Sequence, residues 1–135
     1  MKIKLEEGAI MPRRAHKDDA GYDLFANEDM SIMGGCVERI KTGIHLEIPK
    51  GHYGRVANRS SMYAQGLSVS GTIDCGFSGE IMVIMMNHTA SEYRVHKGDK
   101  IAQLIIGQFE CYDMELVDEL PKTERGDNGF GSTGR

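Results

Sequence analysis

The sequence predicts an all-β domain, on three observations. Seventeen glycines recur at short intervals along the 135 residues, one long stretch alternates between apolar and polar residues, and nowhere does the 3.6-residue apolar period of a long helix appear. Short strands joined by glycine turns make a sandwich, a barrel or a jelly roll. A chain of this length folds as one domain with a real core and leaves no room for a second.

In chain order, the first informative segment is Ala20-Gly-Tyr-Asp-Leu-Phe-Ala26. Asp23 is flanked there by apolar residues, so it is half-buried and needs a partner, either an arginine or a metal-bound water. A structural ion pair would meet the same need. From 40 to 49, Ile40, Thr42, Ile44, Leu46 and Ile48 alternate with Lys41, Gly43, His45 and Glu47, which predicts one half-buried strand ended by Pro49-Lys50-Gly51. Residues 59–66, Arg-Ser-Ser-Met-Tyr-Ala-Gln-Gly, read as one or two helical turns, with a serine capping the start and Gly66 in the left-handed position after the end. Free amides at such an end bind phosphate and Arg59 adds a fork-shaped cation, although an arginine and two serines also serve simply as a cap.

In the segment from Gly71 to Ile81, glycines bracket an acid and an aromatic, which predicts a hairpin or tight corner with Asp74 at its bend. A carboxylate there either projects into a cleft or hydrogen-bonds its own turn. Ile81 to Met86 is continuously apolar, as in a strand covered on both faces or a short buried helix. Lys97-Gly-Asp-Lys100 is a turn feeding a strand from Ile101 to Phe109, within which Gln103 is either an edge residue or a ligand donor facing a cleft. After Val117 the pattern thins, and 123–135 holds four glycines with little to bury, the composition of a mobile tail. Within that tail Arg125, Phe130, Ser132 and Thr133 offer a cation, a ring and two hydroxyls. Glycine backbone wraps an anion closely and an exposed ring stacks on a base. No Gly-Lys-Ser/Thr follows, so this is not a Walker A loop.

The bulk numbers exclude several function classes. A net charge of -4 does not favour polyanion partners, so no direct nucleic-acid binding is expected, and an anionic ligand must be held by local arginines, amides or a metal. No apolar run approaches the ~18 residues of a membrane helix, and the N-terminus lacks a signal-peptide core. Three cysteines without a CxxC spacing favour reduced thiols and a cytoplasmic setting, host cytoplasm for a viral protein.

Taken in order and over almost the whole chain, five segments resemble the five motifs of the trimeric dUTP pyrophosphatases (dUTPases): 20–26, Arg59-Ser-Ser61, Gly71-Thr-Ile-Asp74 through Ile81, 97–104, and Arg125-Gly through Gly134. The resemblance implies a distorted jelly-roll or β-barrel subunit with one short helix. It implies a domain over 1–122, an arm over 123–135 closing over an active site, a homotrimer with sites between subunits, and Mg²⁺. The reaction implied is dUTP plus water to dUMP and pyrophosphate, which limits uracil in DNA and supplies dUMP for thymidylate synthesis. Asp74 matches the general base. Asp23 matches an acid that meets the metal through water, and Arg59, Ser60, Ser61, Gln103, Arg125, Gly131, Ser132 and Thr133 match the phosphate side of the site. Phe130 matches a ring stacked on uracil. Backbone from Ser68 to Gly71 matches the uracil reader, and Phe77 matches the ring beneath the deoxyribose.

Two positions depart from many relatives, which carry Tyr at Phe77 and Asn at Ser68. Phe keeps the ring and loses the phenol. The related dCTP deaminases need a proton-shuttling glutamate that would fall at Ile84, and an aliphatic side chain cannot shuttle a proton.

Overall fold

The computed structural model describes residues 1–134; Arg135, the last residue of the expected arm, lies outside them. Its regular structure is β1 (Lys2–Leu5), β2 (Gly21–Phe25), β3 (Met30–Ile32), β4 (Val37–Lys41), β5 (Ile44–Glu47), β6 (His52–Ala57), α1 (Ser60–Tyr63), β7 (Leu67–Val69), β8 (Gly71–Ile73), β9 (Met82–Asn87), β10 (Tyr93–Val95) and β11 (Lys100–Gln108). Two sheets dominate, in the orders β2-β11-β6-β8 and β4-β9-β7, with two-stranded ribbons β1-β5 and β10-β3 beside them. Every pairing is antiparallel, and most neighbours are distant in sequence, as a jelly roll requires. One core cluster joins Leu24, Val56 and Leu104 of the larger sheet to Ile40, Leu67, Val83 and Met85 of the smaller. Burying each such side chain contributes roughly 1.5–3 kcal/mol.

The alternation from Ile40 to Ile48 reads the inward side correctly: Ile40, Thr42, Ile44, Leu46 and Ile48 are all buried. It is not one strand, however. The chain breaks after Lys41, so that β4 pairs with β9 and β5 with β1. Gly43 makes the corner at φ +68, where an added Cβ would stand 2.7 Å from both the Ala9 Cβ and the Asn27 amide nitrogen. The Gly43 N–H donates to the Glu80 carboxylate at 2.8 Å, and the buried Thr42 hydroxyl donates to the Ile81 carbonyl.

β9 also differs from expectation. Its burial alternates, with Val83, Met85 and Asn87 buried but Met82 and Ile84 37% and 44% exposed. Met82, Ile84 and Met86 stand opposite Lys41, Arg39 and Val37, so one face of this sheet is uncovered within the single chain and carries exposed apolar residues beside two cations. The last strand ends at Gln108, ahead of the expected boundary at 122. Beyond it Tyr112, Met114, Leu116 and Leu120 are exposed.

Candidate active site

Asp23 is the pivot of the site. The apolar neighbours in β2 hold its side chain at 14% exposure, where an unpaired carboxylate would be costly. It is paired twice, with Lys100 Nζ at 2.7 Å and Arg59 Nε at 3.4 Å. A guanidinium nitrogen of Arg59 also donates to the Lys100 carbonyl at 3.1 Å. Two cations against one acid leave a local surplus of positive charge on a chain whose total is -4.

Gln103 enters the same cluster by a register shift. A bulge between Lys100 and Ala102 makes Gln103, rather than Ala102, the partner of Asp23. On its other side Gln103 faces Ala57, so it lies on an interior strand and not at an edge. Its amide nitrogen donates to the Asn58 carbonyl at 2.7 Å, while the Asn58 side-chain oxygen accepts from the Val69 N–H at 2.6 Å. Asn58 thereby ties this cluster to β7. Gly21 leaves room for the Gln103 side-chain oxygen, which an added Cβ would meet at 2.2 Å.

The short helix is built differently from the sequence reading. Arg59, not a serine, occupies the N-cap position, with extended backbone and no side-chain cap, and Ser60 is the first helical residue. Gly66 does take the left-handed conformation after the helix, at φ +78. Four residues sum to a small dipole, so any anion binding here falls mainly to the Arg59 guanidinium. Ser60 and Ser61 begin the helix beside it.

Asp74 lies elsewhere. It follows β8, is exposed, and opens a turn in which the Phe77 N–H donates to its carbonyl at 3.0 Å. β7 and β8 bend apart at Ser70 to pair with β9 and β6 respectively, so the corner between sheets falls at Ser70, ahead of the expected segment, and Asp74 sits in the turn that follows β8. Ile73 pairs with Gly54, whereas Asp23 and Gln103 share the row of Ala57. Three inter-strand steps across and about four residues along the strands separate the two acids by roughly 20 Å. The ring of Phe77 is 46% exposed and lies against Gly79, where an added Cβ would meet it at 2.6 Å. The Ser68 hydroxyl meets His88 Nε2 at 2.6 Å.

The tail folds on itself. Arg125 Nε donates to the Asn128 carbonyl at 2.9 Å, and the Ser132 N–H donates to Gly129 at 3.1 Å. Arg125, Ser132 and Thr133 line one open hollow of about 790 Å³, while the Phe130 ring is fully exposed and precedes Gly131. The structure therefore gathers Asp23, Arg59 and Gln103 in one place, the corner residues Ser68 and Gly71 in another, Asp74 and Phe77 in a third, and the tail residues in a fourth.

Sequence reasoning missed Lys100, Asn58 and His88. Lys100 was visible as a lysine three residues before Gln103 in one motif, but its reach to Asp23 depends on the pairing of β11 with β2. Asn58 had only its place next to Arg59 to mark it, and His88 had no signal. Among the described residues no group of three or more His, Cys, Asp or Glu could hold a metal, and no helix is long and apolar enough to cross a membrane.

Comparison with known proteins identifies the family of the chain. The dUTPase family model matches residues 7–134. A deoxyuridine 5′-triphosphate nucleotidohydrolase of Corynebacterium efficiens is 44% identical, over 98% of this chain and 76% of its own length. A mutant dUTPase of Staphylococcus bacteriophage 80alpha, solved with dUpNHpp, has a TM-score of 0.94 at 30% identity, covering 99% of this chain and 98% of that one. A mutant dUTPase from phage phi11 of S. aureus, solved to show the coordination of a structural Mg(II) ion, has a TM-score of 0.83 at 28% identity, covering 87% and 96%. The chain belongs to the dUTPase family, the dUTP diphosphatases.

Proposed function

We propose that this chain hydrolyses dUTP to dUMP and pyrophosphate at sites shared between the subunits of a homotrimer. The observation that carries the shared site is the separation of its parts. The cation-rich cluster of Asp23, Arg59, Lys100 and Gln103 and the acid Asp74 are roughly 20 Å apart along one sheet, too far to act on one phosphorus within a single chain. A neighbouring copy supplies the missing half. The exposed Val37, Met82 and Ile84 on one sheet face, and the exposed Tyr112, Met114, Leu116 and Leu120, give such copies apolar surface to bury.

At the assembled site Arg59, with Lys100 beside it, neutralises the triphosphate, Ser60 and Ser61 contact it from the first turn of α1, and Gln103 contributes its amide. Arg125, Gly131, Ser132 and Thr133 close over it from the arm over 123–135. Backbone from Ser68 to Gly71 reads uracil, Phe130 stacks on the base, and Phe77 packs beneath the deoxyribose. Asp74 accepts a proton from a water as its oxygen forms a bond to the α-phosphorus. The bond to the bridging oxygen breaks, and pyrophosphate leaves with the electron pair. Positioning and charge neutralisation dominate such a reaction, and the base adds roughly 10²–10⁴-fold.

The residues present fit Mg²⁺ in one manner. Asp23 is a single carboxylate already engaged by two cations, so it would hold a metal through water rather than ligate it directly. When bound there, Mg²⁺ supplies charge neutralisation on the phosphates. Purified protein with Mg²⁺ should release pyrophosphate from dUTP far faster than from dTTP, UTP or dCTP. Equal turnover of the four would overturn the substrate assignment.

A further inference from the structure

The segment that carries Phe77 is tied at both ends by backbone pairing, through β8 to β6 and through the Ile81 N–H to the Ile44 carbonyl at 2.8 Å. Near its end the Glu80 carboxylate also holds the Gly43 N–H. Among the described residues, the middle of the loop has one side-chain tie, to His45 on β5. His45 Nδ1 stands 3.0 Å from the Ser78 carbonyl, and its Nε2 stands 2.9 Å from a Glu6 carboxylate oxygen. Both partners are oxygens that can only accept. A neutral imidazole donates from one nitrogen alone, so both contacts are hydrogen bonds only when the ring is an imidazolium. The side chain is 21% exposed, and it lines an open hollow of about 410 Å³ together with Leu46, Cys75, Phe77 and Ser78.

We propose that His45 is a positioning residue of the enzyme, a protonated link between Glu6 and the Ser78 carbonyl that fixes the loop presenting Phe77 to the sugar. The proposal rests on the reading of Phe77 as the ring beneath the deoxyribose. His45 touches no substrate and acts through Ser78, one residue from Phe77. The charged groups around it are Glu6, which is its counter-ion; Lys4, its cross-strand partner; Glu80, which is spent on Gly43; and Lys2 with Glu47, which pair with each other at 3.1 Å. The Glu6 hydrogen bond, followed by that to Ser78, raises the His45 pKa above its ordinary value, against partial burial and the Lys4 charge. A group with a raised folded pKa exerts its hold fully below the ordinary value, ~6.5 for histidine, and loses it as pH rises through the folded value.

The test combines NMR and kinetics on the full chain. Ring Cε1–H resonances of the five histidines are followed against pH, with His45 identified by its absence in H45Q. His45 should titrate above the ordinary value, E6Q should lower it, and the amides from Gly76 to Gly79 should shift with the same midpoint. Below that midpoint H45Q should raise KM for dUTP and narrow the ratio of kcat/KM for dUTP over UTP by about three- to tenfold, with a smaller effect on kcat. Above it, wild type and H45Q should converge. Titration of His45 at or below the ordinary value, an unmoved midpoint in E6Q, or parallel pH profiles for wild type and H45Q would each overturn the proposal. The NMR readout needs no turnover, so it stands or fails separately from the dUTP assignment.

Discussion

Replacing Asp23 with Asn keeps the side chain's shape and removes the charge that holds Arg59 and Lys100 together, the cluster proposed to bind phosphate. In the folded protein that carboxylate sits at 14% exposure between Lys100 Nζ at 2.7 Å and Arg59 Nε at 3.4 Å. The Lys100 contact is a charge-assisted hydrogen bond, worth ~1.5–3 kcal/mol, and the longer Arg59 contact is weaker. Breaking a fully buried pair costs ~3–5 kcal/mol, but these cations are 28% and 37% exposed and can rehydrate, so the loss should be about 1.5–2.5 kcal/mol. Two like charges then face each other without a mediator. Arg59 moves off its aim, and a displacement of about 1 Å costs on the order of 10²-fold in rate. Urea denaturation in low salt and in ~1 M salt, where the Debye length falls to ~3 Å, should show a stability deficit that shrinks with salt. Pyrophosphate release should show kcat/KM for dUTP down about 10²-fold, with a weaker response to Mg²⁺. A variant as stable as wild type in low salt and within about twofold in kcat/KM would refute the role given to this cluster.

Three other perturbations address separate parts of the molecule. Asp74→Asn should bind dUpNHpp with near wild-type affinity in calorimetry yet lose about 10²–10⁴-fold in kcat, because only the proton acceptor is removed; a near wild-type rate would take Asp74 out of that role. Removing residues 123–135 should leave the melting temperature almost unchanged, since residues 123–134 are mostly exposed and bonded to themselves, while turnover collapses; full turnover would show that the arm is no lid. Gly21→Ala pushes a Cβ against Gln103, 2.2 Å from its amide oxygen and 3.1 Å from its Cβ, so the amide is displaced, KM should rise and some stability should be lost. Gly43→Ala instead meets Ala9 and Asn27 at a left-handed φ and should cost about 2–4 kcal/mol in denaturant unfolding.

Much of this protein is legible in its residue order because local rules act there. Alternation from Ile40 to Ile48 identified which side chains face the core, since a side chain's side is set by chain parity alone. Asp23 among apolar neighbours announced a partnered acid, since desolvation demands one wherever the residue sits. The ordered set of short motifs, ending in Arg125 through Gly134, pointed to the family. None of these readings needs to know which strands lie side by side.

What the tertiary structure alone decided depends on pairing between distant segments. The strand after Lys41 breaks because Gly43 turns the chain from one sheet to another, and parity does not record a change of partner. β9 reads as buried on both faces but is bare on one in the single chain, because an apolar run does not record whether both faces of a strand are covered. Gln103 meets Asp23 only because a bulge moves the register by one residue, and without it Ala102 would stand there. The distance between Asp23 and Asp74 follows from sheet order, three strands apart, and no spacing along the chain encodes it. Sequence determined which residue types are available to a site; the order and register of strands determined that Asp23 and Asp74 lie apart within one chain.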